Sequence, residues 1–136
     1  MSKKVYVDSN IYIDYFDNRE GKFATWGEFA FQFFRRTFEC EFKIVMSAQI
    51  FKELNKLGYE ENIDDLFYSL KDMEKIEFVF SSPKLNNEAR DMKTSHYGDR
   101  LHYLLAKKAK VDFIVTRNWK DFYDFKDVEA FPPEFI

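Results

Sequence analysis

Residues 97–122 read YGDRLHYLLAKKAKVDFIVTRNWKDF, and this stretch decides the fold. Leu101, Leu104, Leu105 and Ala109 recur at helical spacing, so the segment from Asp99 to Ala109 reads as an amphipathic helix. Val111 to Thr116 is a short apolar run rich in β-branched residues, which reads as a buried strand; a polar turn then opens a further helix from Asn118. The same order stands at the N-terminus. Residues 4–8 read as a fully buried strand, and the polar Asp8-Ser9-Asn10 cluster is a turn and cap signal before a short helix over Asn10–Asp17.

The middle of the chain keeps the alternation. From Phe23 to Phe42, the residues Phe23, Trp26, Phe29, Ala30, Phe33, Phe34 and Phe38 recur at helical spacing, ending near Cys40. With Phe31 off-phase, this apolar arc is wider than the stripe that one-sided packing needs, so a second hidden surface is expected. Lys43–Met46 reads as a strand. Ser47 then caps a helix that runs to Leu57 and stops at Gly58, with Ile50, Leu54 and Leu57 toward the core. Glu53 falls at the border of that stripe, while Lys52 and Lys56 point to solvent. A helix over 60–73, a strand over Ile76–Phe80 and a helix starting at Ser82-Pro83 follow, and the tail from Val128, interrupted by Pro132 and Pro133, suits an edge strand. Strands alternating with helices predict an α/β fold: a central parallel sheet of about four to five strands, flanked by helices on both faces.

At 136 residues and 46% apolar content, the chain is expected to form one domain over residues 1–136. A formal net charge of −3 gives no basic footprint, which argues against a passive, electrostatically held nucleic-acid binder. The one cysteine, Cys40, can make no intramolecular disulfide, and neither a signal-peptide core nor an 18-residue apolar run is present, so a cytoplasmic protein with no membrane span is expected. With four glycines in all, a phosphate-cradling glycine loop is excluded. His96 and His102 lack zinc-ligand spacing relative to Cys40, and His102 reads as an ordinary helix residue.

What remains is a set of acids. Ligands in open α/β sheets bind outside the carboxyl ends of the strands, so Asp8 and the Thr116–Asp121 segment would share one edge. Mg²⁺ or Mn²⁺ takes hard oxygen ligands, and a few converging carboxylates suffice. Taken singly, each acid also has an ordinary explanation: Asp8 and Asp99 as helix caps, Glu53 as a surface acid beside Lys52 or Lys56.

Taken together, the segments resemble the PIN-domain family, and within it the small VapC-type toxins of toxin–antitoxin pairs. Asp8-Ser9-Asn10 after a hydrophobic strand is similar to that family's Asp-Thr-Asn signature. The block from Gly98-Asp99 through Thr116-Arg117-Asn118 to Asp121-Phe122 is similar to its closing block. The resemblance implies a metal-dependent endoribonuclease, with Asp8, Glu53 and Asp99 binding Mg²⁺ or Mn²⁺ and Asp121 as a further acid. It implies that Glu53 holds or orients a water on the metal. Ser9 and Asn10 would fix Asp8 or contact the scissile phosphate, and Thr116, Arg117 and Asn118 would stand around them. Many members carry an acid where this chain has Asn118, so an alternative is a PIN-like scaffold that binds RNA or protein without turnover. Arg100, Arg117 and Lys120 are candidates to hold phosphate. An RNA substrate, a cognate antitoxin and a homodimer are the implied partners.

Overall fold

The computed structural model describes residues 3–17, 26–94 and 96–136. Within them the chain runs β1 (Lys3–Val7), α1 (Ser9–Asp17), α2 (Trp26–Phe38), β2 (Phe42–Ser47), α3 (Ala48–Lys56), α4 (Glu60–Asp72), β3 (Ile76–Val79), α5 (Pro83–Asp91), α6 (Tyr97–Ala109), β4 (Phe113–Val115) and β5 (Ala130–Phe131). Single 3-10 turns occupy Trp119–Phe122 and Pro133–Phe135. The five strands form one parallel sheet in the order β3-β2-β1-β4-β5, as the alternation predicts.

The order of strands places the functional edge. Strand β1 is central, the chain moves outward through β2 to β3, and it then returns across the sheet to β4 on the other side of β1. With right-handed crossovers, α1 to α4 cover one face and α5 and α6 the other. The reversal of direction between β1 and β4 opens a crevice at their carboxyl ends, which is where open α/β sheets bind ligands. Asp8 follows β1 at that point, its N–H bonded to the Val115 carbonyl at 2.9 Å.

Val5, Tyr6 and Val7, Ile44 to Met46, and Phe113 to Val115 are all buried, the near-continuous apolar pattern of strands covered on both faces. Phe33 stacks on Phe42 at 5.2 Å and meets Phe34 edge-on at the same separation, so much of the chain's aromatic content is ordinary core. Phe31, off the helical phase, is 47% exposed. Ser47 caps α3 by accepting the Ile50 N–H, and Gly58 ends it with φ +90°, a conformation that favours glycine. Among the described residues no helix is long and apolar enough to cross a membrane.

Several boundaries depart from the sequence expectation. Phe23 lies outside the described residues. Helix α2 ends at Phe38, and Phe42 belongs to β2, where it pairs with Lys3; Cys40, at φ 72°, turns the chain out of the helix. Leu57 is 60% exposed rather than in the core, because it is the C-cap of α3 and the helical phase ends before it. The helix expected from Asn118 is one 3-10 turn, with Asp121 N–H on the Asn118 carbonyl and Tyr123 N–H on that of Lys120, a common short connector. The strand expected over Val111–Thr116 narrows to three residues, and the tail strand to Ala130–Phe131 at the sheet edge.

Candidate metal centre

Asp8 is nearly buried, and its carboxylate is fixed from several directions. Ser9 N–H donates to Oδ1 at 2.7 Å, Thr116 Oγ1 donates to Oδ2 at 2.8 Å, and Asn10 Nδ2 approaches Oδ2 at 3.4 Å. Asn10 also donates to Thr116 Oγ1 at 3.3 Å and accepts the Arg117 N–H at 3.2 Å, while the Asn118 N–H reaches Thr116 Oγ1 at 3.1 Å. Asp8 with the first two residues of α1, Ser9 and Asn10, and the Thr116-Arg117-Asn118 turn are thus one hydrogen-bonded unit joining the ends of β1 and β4.

Glu53 enters from the last turns of α3. Its Oε2 accepts from Gln49 Nε2 at 3.0 Å, and both carboxylate oxygens face His102 Nε2, at 3.1 and 3.0 Å. Partial burial pushes the Glu53 carboxyl up, but the hydrogen bond and charge of His102, with help from Gln49 and Ser9, bring it below its ordinary value. A depressed pKa keeps Glu53 an anion, as a metal ligand must be.

The structure brings one atom each of Asp8, Glu53 and His102 within 4.8 Å of one another. Asp99, expected with Asp8 and Glu53 as a ligand, stands outside that cluster but lines the same cleft. It sits inside the first turn of α6 rather than at its cap, which is His96. Burial, then the like charges of Asp8 and Asp121, raise the Asp99 carboxyl above its ordinary value. Crowded carboxylates that resist joint ionisation are relieved by a cation, so the donor set fits a hard divalent ion. The cleft has a volume of about 430 Å³ and is lined also by Ser9, Asn10, Lys56, Leu57, Gly98 and Asn118.

Other expected residues are placed elsewhere. Asp121 is exposed and does not line the cleft, though its charge is felt at Asp99. Arg117 is not held out toward phosphate: its guanidinium grips the buried Asp14 at 2.6 and 3.3 Å and lies 4.2 Å from the Trp26 ring centre. Arg100 donates to the Ala89 carbonyl at 2.7 Å, tying α6 to α5, and Lys120 lies over Trp119. Among the described residues the lysine that lines the cleft is Lys56, which is exposed to solvent as expected.

His102, an ordinary helix residue by its sequence pattern, is built into the site. It is 3% exposed, and its other ring nitrogen, Nδ1, lies 2.7 Å from the Tyr6 hydroxyl, which in turn meets Ser47 Oγ at 2.8 Å. The place of His102 one helical turn after Asp99 does not by itself distinguish it from the inward leucines of α6; the further signal is that Tyr6 shares a strand face with Asp8.

No family model matches the sequence, and no curated protein matches it. Solved structures do share its fold. A chain of VapBC2 from Rickettsia felis, bound to a DNA fragment from its promoter, superposes with a TM-score of 0.62 at 17% identity, over 95% of this chain and 98% of that one. A toxin–antitoxin complex from Klebsiella pneumoniae gives 0.57 at 17% identity over 95% and 97%. VapBC-1 from nontypeable Haemophilus influenzae gives 0.62 at 17% identity over 96% and 98%. The fold is therefore VapC-like and PIN-like over nearly the whole chain, as the sequence resemblance implied.

Proposed function

We propose that residues 1–136 form a single-domain, divalent-metal-dependent endoribonuclease, acting in the cytoplasm as the toxin of a toxin–antitoxin pair. The observation that carries the reading is the meeting of Asp8 and Glu53, from different elements, at the β1–β4 crevice, with Asp99 lining the same cleft. The fold neighbours are toxin–antitoxin complexes, and we extend that partnership to this chain. Exposed Phe31 on α2 is a candidate contact for the antitoxin or a second copy.

Asp8, Glu53 and Asp99 would hold Mg²⁺ or Mn²⁺, which when bound neutralises phosphate charge and makes an attacking water more acidic. The chain's own groups do the rest. Ser9 N–H and Thr116 Oγ1 keep Asp8 in one rotamer, so the ligand is pre-set before substrate arrives. Glu53 faces the cleft with both oxygens anchored on one side, leaving their outer lone pairs to orient a water. Lys56 and Asn118 stand on the rim, where a cation and an amide can take phosphate oxygens. Water attacks phosphorus, the P–O bond to the leaving nucleotide breaks, and the strand is left with one phosphomonoester end and one hydroxyl end.

A second reading has one observation in its favour: Asn118, not an acid, lines the cleft, which suits a scaffold that binds RNA or protein without turnover. Incubation of purified protein with total RNA, with Mg²⁺, with Mn²⁺ and with excess chelator, separates the two. Discrete fragments that need metal and vanish in Asp8→Asn and Asp99→Asn are expected; folded protein that cuts nothing under any condition selects the scaffold.

A further inference from the structure

A buried chain of side chains runs from β2 to Glu53: Ser47 Oγ, Tyr6 Oη at 2.8 Å, His102 Nδ1 at 2.7 Å, then His102 Nε2 to Glu53 at 3.0 and 3.1 Å. Every hydrogen in it can be placed. Glu53 as a carboxylate only accepts, so Nε2 carries a hydrogen. In the neutral ring Nδ1 then accepts from Tyr6, whose hydroxyl burial keeps protonated. Tyr6 in turn accepts from Ser47, whose oxygen still accepts the Ile50 N–H. In the doubly protonated ring Nε2 carries a hydrogen as well, so the end of the chain that faces Glu53 is the same in both states.

We infer that His102 is a positioning residue for Glu53, held by Tyr6 and Ser47, and is not itself a metal ligand. Its ring nitrogens are both engaged, so no lone pair of His102 faces the cleft, although it lies within 4.8 Å of both carboxylates. The near-equal distances from Nε2 to Oε1 and Oε2 share its N–H between both carboxylate oxygens, which holds the Glu53 carboxylate facing His102. Fully buried Tyr6 does not line the cleft and Ser47 does not either, so Tyr6 reaches Glu53 through His102, and Ser47 does so through that chain and by capping the helix that carries Glu53. An all-oxygen donor set is the consequence, and such a set suits Mg²⁺ or Mn²⁺ rather than the softer ions that imidazole would recruit.

The catalytic consequence rests on the ribonuclease reading, whereas the placement of the proton does not. The first measurement is therefore a ¹H–¹⁵N spectrum of the imidazole side chains in the full chain, without metal and with saturating Mg²⁺. A proton on His102 Nε2 that persists in Mg²⁺ is expected; its loss on Mg²⁺ binding would make the nitrogen a ligand and overturn the inference. The second is calorimetric Mg²⁺ and Mn²⁺ binding and RNA cleavage for Tyr6→Phe, His102→Gln and His102→Phe, each checked by thermal unfolding. Removing such a supporting hydrogen bond costs about 10- to 100-fold, so Tyr6→Phe and His102→Phe should lose that much in kcat with KM for RNA unchanged. His102→Gln, which keeps an N–H near the ε position, should recover most of the kcat. A shift in preference from Mn²⁺ toward Mg²⁺ in the His102 variants, as loss of an imidazole ligand would give, or full kcat in folded Tyr6→Phe, would overturn it. Wild-type protein that binds Mg²⁺ with the Nε2 proton in place yet cuts no RNA would sink the nuclease reading alone.

Discussion

Thr116 Oγ1 donates to Asp8 Oδ2 at 2.8 Å while accepting from Asn10 and from the Asn118 N–H, so one hydroxyl joins the two strand ends that form the crevice. A hydrogen bond to a charged acceptor contributes about 1.5–3 kcal/mol. Thr116→Val keeps the shape, removes the donor and leaves the Asn118 N–H without its acceptor. The expected result is a loss of about 2 kcal/mol in chemical denaturation, with weaker Mg²⁺ binding, and recovery of both in Thr116→Ser. A Thr116→Val protein as stable and as active as wild type would remove the hydroxyl from the architecture of the site.

Arg117 is held by Asp14 while exposed Lys56 lines the cleft, and their substitutions separate stability from substrate binding. Asp14 is 1% exposed and Arg117 21%, so Arg117→Ala takes a guanidinium from a buried carboxylate and should cost about 3 kcal/mol. Arg117→Lys should not restore it, because an ammonium provides neither the two-pronged grip on Asp14 nor the stack on Trp26. Lys56→Ala should leave the melting temperature unchanged, raise KM for RNA and reduce the salt dependence of binding by about one phosphate contact. If Lys56→Ala unfolds the protein, or Arg117→Ala only weakens RNA binding, the assignment is reversed.

The strands and most helices were legible because apolar runs, Ser47, Gly58 and Ser82-Pro83 mark elements by local chemistry alone. The edge shared by Asp8 and the Thr116 turn was legible too, since parallel strands all end on one side. What a local reading misses is partner choice. Arg117 lies beside the proposed acids in sequence, yet the one it pairs with is Asp14, more than 100 residues away. Leu57 keeps the apolar spacing of α3 but stands past its last turn. His102 looks like one more inward helix position, and only the juxtaposition of α6 with β1 and α3 turns it toward Glu53.

Tyr12 gives a prediction of opposite sign. Its ring packs on Phe34 at 5.4 Å, fully buried, and its hydroxyl has no hydrogen-bond partner among the described residues. Burial, then the charge of Asp8, push this phenol far above its ordinary value, so it stays neutral and its desolvation is uncompensated. A buried unsatisfied polar group costs about 1–3 kcal/mol. Tyr12→Phe should therefore match or exceed wild type in thermal stability, with cleavage unaffected. A drop in melting temperature would mean that the hydroxyl has a partner, such as an ordered water.

The metal-free protein should lose stability as pH rises, and the metal should restore it. Burial alone would lower the His102 pKa, but its bond to Glu53 and the charges of Asp8, Glu53 and Asp99 raise it above 6.5. A raised histidine contributes stability that is fully present below about 6.5 and lost as pH climbs through its folded pKa. Glu53, held below its ordinary 4.5, contributes stability above that value and loses it only as pH falls through its folded pKa. Asp99, held above 3.8, works against folding once it ionises. Together they place the metal-free optimum between about 4.5 and 6.5. Protons and cations compete for the same carboxylate cluster, so the rise in melting temperature on adding Mg²⁺ should be small at pH 5.5 and larger at pH 8. Melting curves at both values, with chelator and with Mg²⁺, measure this directly. An equal Mg²⁺ effect at the two pH values would show that the cation binds away from Glu53 and His102.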